Sequence, residues 1–129
     1  MRRGAESKAR KCFELWNKAL ATKKANVVTE RYRYDGQKYG VLVPTLSNVV
    51  RHDREGILDY FVEFLKKSPQ GKIVEIHAKQ LSGGNVAASG LYNFDLTVDG
   101  KDSVFPARFT YVFTKNCKIL EHHSSGMPE

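Results

Sequence analysis

The chain has 129 residues, 41% of them apolar and 27% charged, the size and composition of one folded domain with a sizeable core. No apolar run nears the roughly 20 residues of a membrane span, and none follows Met1–Arg2–Arg3–Gly4 as a secretory leader would. Twenty-one Lys and Arg against fourteen Asp and Glu leave +7. The excess reads as one solvated helix face and not as a nucleic-acid footprint, since no aromatic-interleaved basic strand accompanies it. We read one soluble domain over residues 1–129, with 1–5 as a disordered or appended lead.

Between Glu6 and Thr22, the residues Ala9, Phe13, Trp16 and Leu20 recur at the spacing of one helix stripe, with lysines opposite. Asn26 to Tyr34 is ambiguous between a short helix and an irregular approach, and Asp35–Gly36 marks a turn. Tyr39 to Thr45 reads as a strand that stops at Pro44–Thr45–Leu46–Ser47–Asn48. Asp53 can cap a second helix with Ile57, Phe61, Phe64 and Leu65 as its buried stripe and Tyr60 beside it. Ser68–Pro69–Gln70–Gly71 ends that helix. Lys72–Leu81 and Asn85–Val98 then flank a Ser82–Gly83–Gly84 turn, and Asp99–Gly100 leads into a strand reaching Thr114. Lys115–Asn116 reads as a two-residue hairpin turn into a last strand, Cys117–Ser125. The order implies α+β: a strongly bent, cone-shaped antiparallel sheet with the N-terminal helices on its concave face and a mouth suited to a ligand. Cys12 and Cys117, far apart and in no CxxC, read as ordinary small core residues, which suits a reducing compartment.

The terminal strand carries most of the chemistry. Alternation puts Cys117, Ile119, Glu121, His123 and Ser125 on one face, and Leu120, His122 and Ser124 on the other. Ile119 suits the core, so its row reads as the mouth of a pocket, or else as a strand end turning polar as it leaves the core. With a two-residue turn, Thr110 falls opposite Glu121 and Arg108 opposite His123, giving a patch that could hold a small anion. A one-residue slip would move those partners to the other face. Adjacent His122 and His123 point to opposite sides, and no HxxxH, HxH or CxxC spacing recruits His52 or His77, so neither a metal centre nor another cofactor is expected. Thr45 continues the row of Val41 and Val43, and Tyr60 can pack its ring inward while its hydroxyl finds a partner. Taken singly, both also read as ordinary structural residues.

Together "VLVPTLSN", "REGILDYFVEFL", "FPARFTYVF" and "HHSSGMPE" resemble the iota-class carbonic anhydrases. That family is a branch of the nuclear-transport-factor-2-like (SnoaL-like) fold, related to the association domain of calcium/calmodulin-dependent protein kinase II. The resemblance runs from about Lys8 to Glu129, and "HHSSGMPE" is its most specific part. It implies reversible hydration of carbon dioxide to bicarbonate, metal-free in some members and plastid-linked in algal ones. It puts Thr45, Tyr60, His123 and Ser125 in the pocket, with Arg51, Thr110 and Ser124 as secondary substrate-binding candidates. His123 would be the base or relay, the hydroxyls would position water and bicarbonate, and Phe64, Leu65, Phe109 or Phe113 would supply an apolar wall. The resemblance also implies a homodimer of sheet packed on sheet, burying Tyr92, Phe94 and Tyr111 on the outer side. Two other readings share the fold: an oligomerisation module, or an enzyme of polyketide-cyclase or isomerase type with a carboxylate deep in the cone, for which Glu121 is the nearest candidate.

Overall fold

Ala9, Phe13, Trp16 and Leu20 are buried along one side of α1 (Arg2–Ala21) in the computed structural model, which describes residues 2–35 and 40–128. The helix runs back through the segment expected to be disordered and buries Ala5. A five-residue α2 (Ala25–Thr29) occupies the ambiguous stretch, after which Tyr32 bridges to Ile119. Gly36 of the expected turn and Tyr39 of the expected strand lie outside the described residues. β1 is Val41–Val43. α3 (Arg54–Phe64) starts where the Asp53 carboxylate accepts the Gly56 amide at 2.8 Å. It closes through a tight turn at 65–67 and a left-handed Ser68, φ 48°.

Four long strands follow: β2 (Gln70–Gln80), β3 (Val86–Val98), β4 (Lys101–Phe113) and β5 (Ile119–Gly126). The sheet order is β1-β5-β4-β3-β2. β1 lies parallel to β5 while the other pairs are antiparallel, so the sheet is mixed where the sequence suggested a purely antiparallel one. α1 packs across β2 and β3, and its Phe13 and Trp16 rings meet Tyr92, Phe94 and Tyr111 on the covered face. Those three strand aromatics therefore fill the monomer's own core, and none is left on the outer side for a partner to bury. Among the described residues no helix is long and apolar enough to cross a membrane.

Two irregularities bend the sheet. β2 is bulged between Ile73 and Glu75, and the facing Gly90 has no room for a Cβ, which would collide with the Glu75 carbonyl. The second lies in the β4–β5 hairpin. Its turn takes three residues rather than two: Cys117 is left-handed, φ 63°, and the Thr114 amide bonds the Lys118 carbonyl at 2.7 Å. Phe113 then faces Ile119, but Val112 faces Glu121, leaving Leu120 without a partner. From there Tyr111 faces His122, Thr110 faces His123, Phe109 faces Ser124 and Arg108 faces Ser125. Ile119, His122 and Ser124 consequently point inward, and the single-face row of Ile119, Glu121, His123 and Ser125 does not exist.

Cys12 and Cys117 form a disulfide that ties α1 to the turn of this hairpin across 105 residues of sequence. The expectation of two independent core thiols is thus corrected. The sequence spacing gave no sign of the pair because the fold alone brings α1 against the hairpin. With it goes the support for a reducing compartment. Closing a loop of this length stabilises a fold by up to about 4–5 kcal/mol when the reduced chain is unconstrained. Dithiothreitol, or the Cys12→Ala and Cys117→Ala double variant, is expected to lower the unfolding free energy by up to about that amount, read as a fall in the denaturant midpoint. A midpoint unmoved by reduction would contradict the pairing.

Candidate functional site

Six segments converge on one buried polar cluster. Trp16 comes from α1, Tyr32 from the run after α2, Thr45 from the end of β1, Tyr60 from α3, Tyr92 from β3, and His122 with Ser124 from β5. His122 and Ser124 are 3% and 4% exposed, whereas His123 is exposed and Ser125 half-buried. Of the four expected pocket residues, the structure brings Thr45 and Tyr60 together and leaves His123 and Ser125 outside. Their places are taken by the neighbours at 122 and 124, because the unpaired Leu120 advances the strand's alternation by one. Ser124 therefore moves from a secondary to a central position.

His123 and Thr110 instead sit opposite each other on the outer face, and Arg108 Nε donates to Ser125 Oγ at 3.3 Å there. The sequence-predicted patch of Arg108, Thr110, Glu121, His123 and Ser125 is real, but it lies on the solvent side of the sheet. Arg51 stands near the cluster, its guanidinium 5.8 Å from the Tyr60 ring.

The inner cluster has a definite direction. Tyr32 Oη lies 2.8 Å from His122 Nδ1, and Tyr92 Oη lies 3.1 Å from His122 Nε2 and 2.7 Å from Ser124 Oγ. Thr45 Oγ1 closes the chain with a short bond to Ser124 Oγ. A neutral imidazole offers one donor and one acceptor nitrogen. If Tyr32 donates to Nδ1, then Nε2–H donates to Tyr92, Tyr92 donates to Ser124, and the protons of Tyr32, His122 and Tyr92 all have acceptors. The opposite tautomer would strand the Tyr32 proton. One hydroxyl proton of the Thr45–Ser124 pair is then left over for a molecule beside it. Tyr32 and Tyr92 escaped sequence reasoning as polar partners, Tyr32 because it falls in the ambiguous stretch after Asn26 and Tyr92 because the resemblance sets it on an outer, dimer-facing side. The doublet Ile119–Leu120 before a charged Glu121 was the available sign that the alternation breaks.

Burial governs the proton affinities. Full burial, with a smaller push from the His123 charge, holds His122 down to about 3, so the imidazole stays neutral near pH 7. Tyr111 stacks on it at 4.1 Å and Trp16 meets it edge-on at 5.2 Å, which fixes the ring plane. Burial pushes Tyr60 up to about 12, partly offset by the Leu46 amide and by Arg51. Desolvation likewise raises Tyr32, Tyr92 and Tyr111. The cluster is a set of neutral donors and acceptors with no resident charge.

Thr45, Tyr60, Tyr92, His122 and Ser124 edge an inner cavity whose other walls are Trp16, Leu42, Pro44, Phe61, Phe64 and Phe94. Leu65, Phe109 and Phe113, proposed for the apolar wall, are core residues outside that lining. The free volume is about 10 Å³, room for one water-sized molecule. No carboxylate is among the described residues that line it, and Glu121 faces outward. Nor do three His, Cys, Asp or Glu side chains come together anywhere among the described residues in a way that could hold a metal ion.

The chain is similar to a solved protein from Xanthomonas campestris assigned as a calcium/calmodulin-dependent protein kinase II association domain. The two are 42% identical over 95% of this chain and 87% of that one, with a TM-score of 0.87. It also shares its fold with an assigned dehydratase of the NTF2-like family from Streptomyces avermitilis, 12% identical over all of both chains, TM-score 0.76. The epoxide hydrolase/cyclase-like enzyme SalBIII of salinomycin pyran-ring formation is a third match, 14% identical over 95% and 92% of the two chains, TM-score 0.72. No family model and no curated protein matches the chain.

The imidazole's environment gives a pH signature. An unfolded His takes up a proton near pH 6.5, while folded His122 does so only near 3. Between these values the unfolded chain binds more protons, so the contribution of His122 is complete above about pH 6.5 and is lost as pH falls toward 3. Denaturation followed from pH 8 to 4 should show stability declining on acidification, and His122→Asn should flatten that slope. An unchanged slope in the variant would contradict a buried neutral His122.

Proposed function

This chain belongs to the calcium/calmodulin-dependent protein kinase II association-domain family, and we propose that it is a carbonic anhydrase of that family, hydrating carbon dioxide at the Thr45–Ser124 pair. The observation that carries the reading is the cavity: apolar walls, room for a single very small molecule, and one spare hydroxyl proton at its edge. A chamber of this size holds the attacking water beside the pair, and it is too small for the ring-forming substrates of a cyclase-type enzyme. Among the described residues no carboxylate lines the chamber for a cyclase-type reaction to use.

The chemistry follows from a neutral site. Because burial disfavours the imidazolium and both ring nitrogens are already engaged, His122 is a poor acceptor for the proton that water must release. It instead fixes Tyr92, and through Tyr92 the direction of the Ser124 hydroxyl. A water beside the pair attacks the carbon of carbon dioxide. As that bond forms, the water's proton passes to the Thr45–Ser124 hydroxyls while their spare proton passes to a carbon dioxide oxygen. Carbonic acid results, and it gives its proton to solvent on leaving as bicarbonate. Tyr60, held protonated by burial, is the second donor to the developing oxygen charge. The metal-free form of this reading is supported by the donor set, which is hydroxyl and phenol with one imidazole.

The 42% relative's assignment favours a second reading, an assembly module of the same fold. Under it, the chain would form stable multimers of defined size and have no turnover.

Removing one pre-aimed donor slows such reactions by about 10²–10³-fold. Ser124→Ala and Thr45→Val are expected to depress carbon dioxide hydration toward that range, measured by stopped flow at matched stability. His123→Ala and Ser125→Ala should stay near the wild-type rate. Activity should survive exhaustive chelation. Loss on chelation with recovery on zinc or manganese would overturn the metal-free reading, and inert wild-type protein in a ring-sized assembly would favour the module.

A further inference from the structure

Two cavities meet at one pair of rings. Tyr60 and Phe64, one turn apart on α3, stack at 5.5 Å and 26° and line both the inner cavity and a surface vestibule of about 400 Å³. They are 8% and 5% exposed, so their stacked rings stand between the chamber and the vestibule. On the vestibule side stands Arg51. Its Nε donates to the Val49 carbonyl at 3.2 Å, Nη1 to the Gly56 carbonyl at 3.1 Å and Nη2 to Ser47 Oγ at 3.2 Å. A guanidinium carries five N–H groups, so these bonds hold it rigid and leave two donors for a visitor. The vestibule's other charges are Lys66, Lys67, Asp59 and Glu63, and Lys66 engages Glu63 at 3.1 Å. Three cations against two carboxylates leave it positive.

We propose that the Tyr60–Phe64 pair is the door of the inner cavity, with Phe64 setting the size of what passes, and that Arg51 receives anions on its outer side. The proposal rests on the carbonic anhydrase reading for its substrates. Carbon dioxide crosses uncharged, carbonic acid formed inside ionises on reaching vestibule water, and bicarbonate departs beside a fixed cation. In the reverse direction Arg51 is the first group bicarbonate meets.

The door can be tested without turnover. Trp16 is the only tryptophan in the sequence, and it lines the inner cavity at 1% exposure. Collisional quenching of its fluorescence therefore reports entry. Neutral acrylamide should quench wild-type protein weakly, and Phe64→Ala should raise its quenching constant severalfold. Phe64→Leu, which keeps most of the apolar fill and so protects the fold, should give a smaller rise in the same direction. In the Phe64→Ala background, Arg51→Gln should lower quenching by iodide while leaving acrylamide quenching unchanged. Ile73→Ala, a half-buried position on β2 away from the door, controls for general loosening.

Folded Phe64 variants that quench like wild type, or an equal rise in Ile73→Ala, would overturn the door. Iodide quenching indifferent to Arg51→Gln would overturn the anion role. Phe64-dependent quenching in a protein that does not hydrate carbon dioxide would refute the enzyme and leave the route standing. Full activity with Phe64-independent quenching would refute the route alone.

Discussion

Leu120 faces no residue of β4, and that single unpaired position decides which side chains of β5 enter the core. Had the ladder run unbroken from Phe113 and Ile119, Glu121 and His123 would have followed Ile119 inward. A carboxylate would then lie among Trp16, Tyr92 and Tyr111 with no cation among the cavity-lining residues to meet it, a burial that costs several kcal/mol. The bulge substitutes a neutral imidazole and a hydroxyl, and both find partners in Tyr32, Tyr92 and Thr45. Bulge and network support each other. The irregular backbone is stabilised because the residues it turns inward are satisfied there, and the network exists because the backbone is irregular.

The elements around the bulge hold it in place. The disulfide fastens Cys12 to the hairpin turn, and Trp16, one helical turn beyond Cys12, lies edge-on to His122. Tyr111 stacks on the other side of the histidine, and β1 delivers Thr45 by pairing in parallel with β5 through the His123 backbone. A site assembled from six segments is rigid only if those segments are, and here each enters through a packed aromatic ring or a backbone ladder. Such rigidity matters for a reaction whose catalyst is the aim of a hydroxyl, since donors that reorient on demand lose the advantage of being fixed beforehand.

Much of this was legible from residues alone. The stripe of α1, the Asp53 cap, the strand boundaries and the α+β arrangement follow from periodicity and turn chemistry, which act locally. Thr45 and Tyr60 were placed by the resemblance, since taken singly each also reads as an ordinary strand-end or core residue. What strict alternation could not supply was the parity of β5. A three-residue turn and one bulge displace the register by a residue each, and neither has a strong signature in Thr114–Lys115–Asn116–Cys117 or Ile119–Leu120–Glu121. The inward orientation of Tyr92 and Tyr111 was hidden for another reason, since the dimer implied by the resemblance sets them on the outer side. The disulfide was illegible for a different reason: its two halves are 105 residues apart and meet only after the helix has crossed the sheet.

The account stands on the inward imidazole of residue 122, and nitrogen-15 spectra of ring-labelled protein read that directly. The spectrum should contain one imidazole locked as a single neutral tautomer, protonated at Nε2 and slow to exchange with solvent from pH 8 to 5, and assignment should place it at His122 with His123 in free exchange. A locked ring assigned to His123, or a His122 that takes up a proton in that range, would contradict it.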